Sequence, residues 1–588
     1  MEDNLDTPSV NQTRPTGSVY FGELVKASRK TSIGEMEHMI ENLRRHKDTW
    51  VRLEIEERLA ILDEIHQDLV SFQESWVAAE MEGQCIEPGS LGEAEEWVLL
   101  ATTFRALNRI RKSLLEIKAS GHPRISGKLW THPDGQVVAR VYPETNIDRL
   151  LFRGVTGEVW MEPEINIEDF YTHLAVAYQD PDRSGKIALV LGAGNATMTA
   201  LIDALHKLFV ELQVVVLKPN PVNSYMGPLI EKVFRALIKR GFLGVAYGGA
   251  AEGSYLCNHP EVDELHITGS DKTYEAIVFG TGPEGARRKA NKEPINTKPF
   301  SGELGNISPV IVVPGPWTTD DIKAQANQIA TWFVANAGFA CLTPRVIIQH
   351  ASWEHRSELM SEIGRSLEST ATRKAYYPGA EERMTQFVNA HPEAHQYGAP
   401  QEDHLPWTFI TDVDPEDKDD ICFQQESFCS VYAETAIEAP SPQDFIKKAV
   451  EFANDTLWGT LSVIMIVHPD SYKDPEVATA IEEAVKNLRY GTVAINMLAY
   501  YSAYLMVTPW GAFPGHDIYD IQSGIGKVFN FLMIEGSQKS VLRAPFKRLD
   551  PLTANSRRAP EFAKKLAKFN ANPTWWKFPD LAWTAIRS

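Results

Sequence analysis

From Ile33 to about Lys118 the apolar residues recur at helical spacing. Met36, Met39, Ile40 and Leu43 form one stripe, and Leu59, Leu62, Ile65, Leu69 and Val70 form another. The pattern predicts helices packed on something larger. Between 121 and 165 the period changes. Lys128-Leu129-Trp130 and Val137 to Val141 flank the turn signal His132-Pro133-Asp134-Gly135, and Glu158 to Met161 is a further β-like run. This predicts a β-excursion outside the main domain, of the kind that mediates contacts between subunits. From Lys186 strands and helices alternate. Ile187 to Leu191, Val214 to Leu217, Val245 to Tyr247 and Leu265 to Ile267 read as strands, with helices over Met198 to Leu208 and about Met226 to Lys239. A second alternating stretch follows residue 341, with strands at Val346 to Ile348, Leu461 to Val467 and Thr492 to Ile495. Alternation of this kind implies parallel sheets, with ligands at the carboxyl ends of their strands.

Composition narrows the class. The chain has 588 residues, 43% hydrophobic and 23% charged, an ordinary globular balance. A formal net charge of −20 repels nucleic acid and anionic surfaces, so a polyanion partner is not expected. Five cysteines without a Cys-x-x-Cys pair imply free thiols in a reducing compartment, and no metal site is expected. The first residues are acidic with no apolar run, so no signal peptide is expected, and residues 1 to about 18 read as a flexible lead-in. The most apolar run, Val493 to Val507, falls short of the ~20 residues that span a bilayer, and reads as buried core or a pocket wall. The basic stretch from Phe279 to Lys298 reads as a solvated surface loop.

Candidate chemistry centres on two short stretches. Ser301-Gly302-Glu303-Leu304-Gly305-Asn306-Ile307-Ser308-Pro309 carries a lone carboxylate, and Asn336-Ala337-Gly338-Phe339-Ala340-Cys341 carries a lone thiol. If both face one pocket, Cys341 can attack a carbonyl and Glu303 can activate a water, which is covalent catalysis with a positioned base.

Over roughly residues 20 to 546 the chain resembles the aldehyde dehydrogenase superfamily, as a divergent member. Gly194-Asn195 after a strand, Lys218-Pro219, Thr268-Gly269-Ser270, Glu303-Leu304-Gly305, Asn336 with Gly338 and Cys341, and Glu426-Ser427-Phe428 occur in the family's order. The resemblance implies an α/β fold: a Rossmann-like cofactor domain (18-120 and 180-302), a catalytic domain (303-530) and a small β oligomerisation arm (121-179 and 531-550). A C-terminal tail (551-588) follows. It implies Cys341 as nucleophile, Glu303 as general base and Asn195 with the Cys341 N–H as oxyanion donors. Lys218, Gly269, Ser270, Glu426 and Phe428 would bind the cofactor. Pro221 stands where NAD-dependent members often carry an acid on the ribose, which leans toward NADP or toward use of both NADP and NAD. Ala193-Gly194 replace the family's Pro-Trp, and Leu342-Thr343-Pro344-Arg345 replaces a run of small residues.

The expected reaction is NAD(P)-dependent oxidation of an apolar or aromatic aldehyde, with Tyr500, Tyr501, Tyr504, Leu505, Met506 and Trp510 along its tunnel. Two alternatives stay open. Cys341-x-x-Pro344 is similar to the branch that hands the acyl group to coenzyme A, and a catalytically silent binding member is the other. A cytoplasmic homodimer or homotetramer is expected.

Overall fold

A computed structural model describes residues 16–18, 29–399, 401–548 and 550–587. Apart from residues 16–18, the polar lead-in lies outside them. The fold is α/β, built on two sheets. The six-stranded sheet runs in the order Gly524–Ile525, Phe300–Glu303, Glu264–Thr268, Ile187–Leu191, Val214–Lys218, Leu243–Val245. Its strands are parallel except for the short edge strand Gly524–Ile525. Strands such as Ile187–Leu191 and Val214–Lys218 are apolar at almost every position because helices cover both faces. The register pairs Leu191 with Lys218 and Thr268 with Glu303. Lys218, Thr268 and Glu303 therefore end at one rim of the sheet.

The eleven-stranded sheet holds the strands Thr492–Ile495, Ser462–Ile466, Ser308–Val312, Pro344–His350, Val431–Ile437 and Trp407–Val413 as a parallel centre. The β-runs Leu129–Thr131, Val137–Tyr142 and Thr156–Met161 join it antiparallel through Ser537–Arg543. They extend this sheet and leave Leu129–Thr131 as its outer edge.

Leu304 to Ile307 carries the chain from one sheet to the other. Asn306 is fully buried in that crossing and satisfied. Its Nδ2 donates to Ser308 Oγ (2.8 Å) and the Ser462 carbonyl (3.0 Å), and its Oδ1 accepts from Leu461 N (3.3 Å). A buried amide with its bonds made is what lets a polar turn sit between two apolar sheets.

The basic stretch 279–298 is a correction. It contains the helix Gly282–Asn291, not a loop throughout. Pro283 sits in its first turn, Glu284 pairs with Arg287 and Arg288, and Arg287 also reaches Glu293. The helix rests on the proline of its first turn and on (i, i+3) and (i, i+4) ion pairs, which leave no apolar stripe to read. At the C-terminal end, Ala559–Ala571 packs along Leu91–Ser120 of the same chain. Asn570 Nδ2 donates to the Ala101 carbonyl (3.0 Å), and Asn108 Nδ2 to the Asn570 carbonyl (2.7 Å). Among the described residues no helix is long and apolar enough to cross a membrane.

Candidate active site

Cys341 follows a 3-10 turn, Ala335–Gly338, in which three consecutive residues are left-handed: Asn336 (φ 47°), Ala337 (φ 52°) and Gly338 (φ 80°). Non-glycine residues rarely hold this conformation, so the turn is strained and its neighbours must hold it. They do. Asn336 Nδ2 donates to the carbonyls of Asn195 and Phe339 (both 3.0 Å), and Tyr376 Oη donates to Asn336 Oδ1 (2.9 Å). Asn336 N donates to Glu95 Oε1 (3.1 Å). The buried Arg345 guanidinium holds the carbonyls of Gly338 and Cys429. Pro344 opens the strand Pro344–His350, a position where a missing N–H is tolerated.

Glu303 ends its strand and is 4% exposed. The Cys341 thiol and the Trp510 indole both donate to its carboxylate, and Oε1 has no hydrogen-bond partner among the described residues. Burial raises its pKa to about 7 despite those two bonds. The Cys341 thiol is held well above its usual value, first by burial and then by the Glu303 charge. Near neutrality the thiol therefore keeps its proton while the Glu303 carboxyl is close to its own midpoint.

Asn195 lies beside them. Its Nδ2 donates to the Phe339 carbonyl (2.7 Å), and its own carbonyl accepts from Asn336 and Tyr376. One amide N–H is thus committed, leaving one for a ligand.

The other five candidates line a neighbouring cleft. Lys218 Nζ donates to the Gly248 carbonyl (2.7 Å), and burial lowers its pKa to about 8. Gly269 N donates to the Glu303 carbonyl (3.0 Å), and Ser270 Oγ caps the helix Asp271–Phe279 by accepting from Thr273 N (3.1 Å). Glu426 is 1% exposed, accepts from Asn306 N (3.3 Å), and is pushed to about 8 by burial. A Cβ on Gly305 would lie 2.2 Å from Glu426 Oε2, so only glycine lets that carboxylate approach. Phe428 (φ 41°) sets its ring against Tyr377 (centroids 5.1 Å apart), and Arg383 holds its carbonyl (2.9 Å).

Two cavities meet here. One of about 840 Å³ is lined mainly by apolar side chains, among them Leu99, Phe152, Met198, Tyr500, Tyr504 and Trp510. The other, of about 320 Å³, is lined by all eight candidate residues. Asn195, Thr268, Glu303 and Cys341 belong to both. Leu505 and Met506, expected on the tunnel wall, are instead buried core.

Several contributors have no local signature. Glu95 with its partner Arg373, Tyr376, and Tyr377 against Phe339 reach the site from distant segments. Ser18 also lines the smaller cleft, with its N–H and hydroxyl on the buried Asp271 carboxylate. Elsewhere, His391, Asp420 and Cys422 gather, but His391 pairs with Asp420 (3.0 Å) and Asp420 caps Cys422 N (2.8 Å). That arrangement is explained as a helix cap.

Residues 195–391 match the model of the aldehyde dehydrogenase family. Among curated proteins, human 4-trimethylaminobutyraldehyde dehydrogenase is 28% identical over 135 residues, 23% of this chain and 24% of that protein. Aldehyde dehydrogenase LUC3 of Fusarium sp is 26% identical over 199 residues, 32% of this chain and 36% of that protein. The match to the first of these thus spans about a quarter of its length. Among solved structures, aldehyde dehydrogenase C of Pseudomonas syringae, complexed with NAD+ and octanal, superposes at TM-score 0.60. It is 15% identical and covers 90% of this chain and 94% of that one. An aldehyde dehydrogenase of Mycobacterium tuberculosis complexed with NAD+ also gives 0.60, at 18% identity over 87% and 90%. At these identities the structural likeness is one of fold.

Proposed function

We propose that this chain belongs to the aldehyde dehydrogenase superfamily, a reading supported by its fold and by the family match over residues 195–391, and that it oxidises an apolar or aromatic aldehyde to its carboxylic acid. The observation that carries the reading is the meeting of two cavities at Cys341, Glu303 and Asn195. An apolar cavity suits the aldehyde, and a cleft at the strand ends suits a dinucleotide.

The smaller cleft fits NAD or NADP by its donor set. Lys218 and Glu426 can take ribose hydroxyls, and Gly269 and Ser270 open the helix Asp271–Phe279 toward the phosphates. When bound, the nicotinamide supplies acceptance of a hydride. Glu303, poised near neutrality, takes the Cys341 proton, and the thiolate adds to the carbonyl carbon. The free Asn195 N–H and the Cys341 N–H hold the oxyanion of the thiohemiacetal. Loss of hydride leaves a thioester on Cys341. Once the first proton has passed to solvent, Glu303 takes a proton from the water that hydrolyses the thioester and returns it to the leaving Cys341 sulfur.

Cys341-x-x-Pro344 does not by itself call for an acyl-thiol acceptor. The place of Pro344 as the first residue of a strand accounts for the proline without one. The choice of cofactor also shifts. Glu252 bonds Gly249 N (2.8 Å) and acts electrostatically on Lys218, so a carboxylate stands close to the ribose lysine although Pro221 does not supply one. That charge opposes a 2′-phosphate and favours NAD. The outer edge strand Leu129–Thr131 supports assembly into homodimers or homotetramers, and five free cysteines support a reducing compartment such as the cytoplasm.

The test is reduced-nicotinamide absorbance with aldehydes of graded length, NAD+ or NADP+, with and without coenzyme A. Turnover with water as acceptor, lost in Cys341→Ala, is expected, and Glu252→Gln should raise NADP+ use relative to NAD+. Turnover only with coenzyme A would transfer the reading to acyl-thioester chemistry. Turnover that survives Cys341→Ala, or none under any condition, would overturn it.

A further inference from the structure

Trp576, Trp583 and Ile586 are 87%, 59% and 67% exposed, on or beside the terminal helix Phe578–Arg587. That helix has two working faces. Phe578, Ala582, Ala585 and Ile586 line the larger cavity, and Leu581 is buried. Trp583 points outward with the Arg587 guanidinium over its ring (5.4 Å). Ile586 both lines the cavity and is exposed, so it marks the mouth. Leu150 does the same from the opposite side, 55% exposed. The other exposed lining residues are Arg153, Gly154 and Lys547. The mouth is therefore ringed by apolar and basic side chains, with no exposed acid among its lining residues.

The charge of this region opposes that of the molecule. Residues 547–587 carry nine Lys and Arg against three Asp and Glu, whereas the whole chain is at −20. Some of these bases are paired within the chain, as Lys547 is with Asp321 and Lys565 with Asp580. Lys564 and Lys568 pair with Glu74 and Arg548 with Asp550, which leaves Arg557, Arg558, Lys577 and Arg587 without an ion pair among the described residues, Lys577 next to Trp576 in the chain and Arg587 over the Trp583 ring. Exposed tryptophan beside lysine and arginine, on an amphipathic helix, is the composition that lies in a headgroup layer. A second copy of the chain is the competing apolar partner. A two-fold contact through this face would set the same basic rim against itself, which repels. An anionic lipid surface has the complementary sign.

We propose that the C-terminal face docks on an anionic phospholipid membrane and holds the mouth of the larger cavity against it, so that an apolar aldehyde enters from the lipid. The entry of an aldehyde rests on the function proposed above; the docking does not.

Flotation of the full chain with vesicles tests it without any turnover. Vesicles of phosphatidylcholine alone and of phosphatidylcholine with phosphatidylserine are compared at low and high salt. The wild-type chain is expected to float with the phosphatidylserine vesicles, less so at high salt. The Trp576→Ser/Trp583→Ser variant should lose about tenfold in bound fraction while its thermal melt is unchanged. Were the double variant to misfold, Trp576→Ser alone, at a ring almost fully in solvent, reads the same loss. No flotation of the wild type, or flotation indifferent to the substitutions, overturns the proposal. So does concentration-dependent self-association that the double variant abolishes, since a second copy would then be the occupant.

Discussion

Glu303 links the pH dependence of stability to that of the proposed reaction. Burial raises its folded pKa from 4.5 to about 7, so folding favours its protonated form. The sign follows from linkage. Its favourable contribution is complete below the unfolded value and is lost as pH rises through about 7, where the carboxylate needed as a base appears. Glu303→Gln removes both effects. The variant should gain thermal stability relative to wild type above that pH and not in acid, which melts at several pH values check. Its kcat/KM should lose the rising limb near pH 7 and fall about 100- to 10,000-fold, the usual range for a positioned base. A limb that persists in the variant would move the base to another group. Glu426, at about 8 and beside the same cleft, is the next candidate.

At the scale of the element, the turn Ala335–Gly338 carries the nucleophile candidate, and Gly338 is where it is least forgiving. A Cβ there would stand 2.4 Å from the Cys429 carbonyl oxygen, on a residue already at φ 80°. That carbonyl is pinned by Arg345 (2.7 Å), so it cannot move aside cheaply. Gly338→Ala is expected to cost about 1–3 kcal/mol and to lower turnover more than substrate binding, because it tilts Cys341 away from Glu303. Melting temperature and the split between kcat and KM measure this. The same turn shows what a sequence discloses. Asn336, Gly338 and Cys341 sit in one short stretch, and Glu303 sits at a strand end, so local pattern is enough to single them out. Glu95 and Tyr377 come from segments far from that stretch in the chain, and no spacing rule reaches them; Arg345 lies close to Cys341 in sequence, but its bond to the distant Cys429 carbonyl carries no local signal. The helix Gly282–Asn291 is illegible in the sequence for a different reason: it rests on Glu284, Arg287 and Arg288 rather than on an apolar stripe.

For the whole molecule, the decisive fact is that the larger cavity is closed by elements from both ends of the chain. Leu91–Ser120 forms one wall, and the terminal segment forms another through Phe562, Leu566, Phe578 and Ile586. The catalytic candidates lie elsewhere on its surface, at the crossing between the two sheets. Length selectivity and chemistry are therefore separable. Truncation before Phe578 keeps Ala559–Ala571 on Leu91–Ser120 but strips the outer wall of Phe578, Ala582, Ala585 and Ile586. Each methylene that loses its apolar surroundings forfeits about 0.8 kcal/mol. Two such methylenes already amount to roughly tenfold in affinity. The truncated chain should thus lose about tenfold or more in kcat/KM for aldehydes long enough to reach the mouth, through KM. Short aldehydes that stay near Cys341 should be turned over as before. A graded series of aldehydes on both chains reads this directly. A uniform loss across all lengths would mean that the terminal helix supports the fold of the site, whereas no loss at any length would mean that substrates never reach the outer wall.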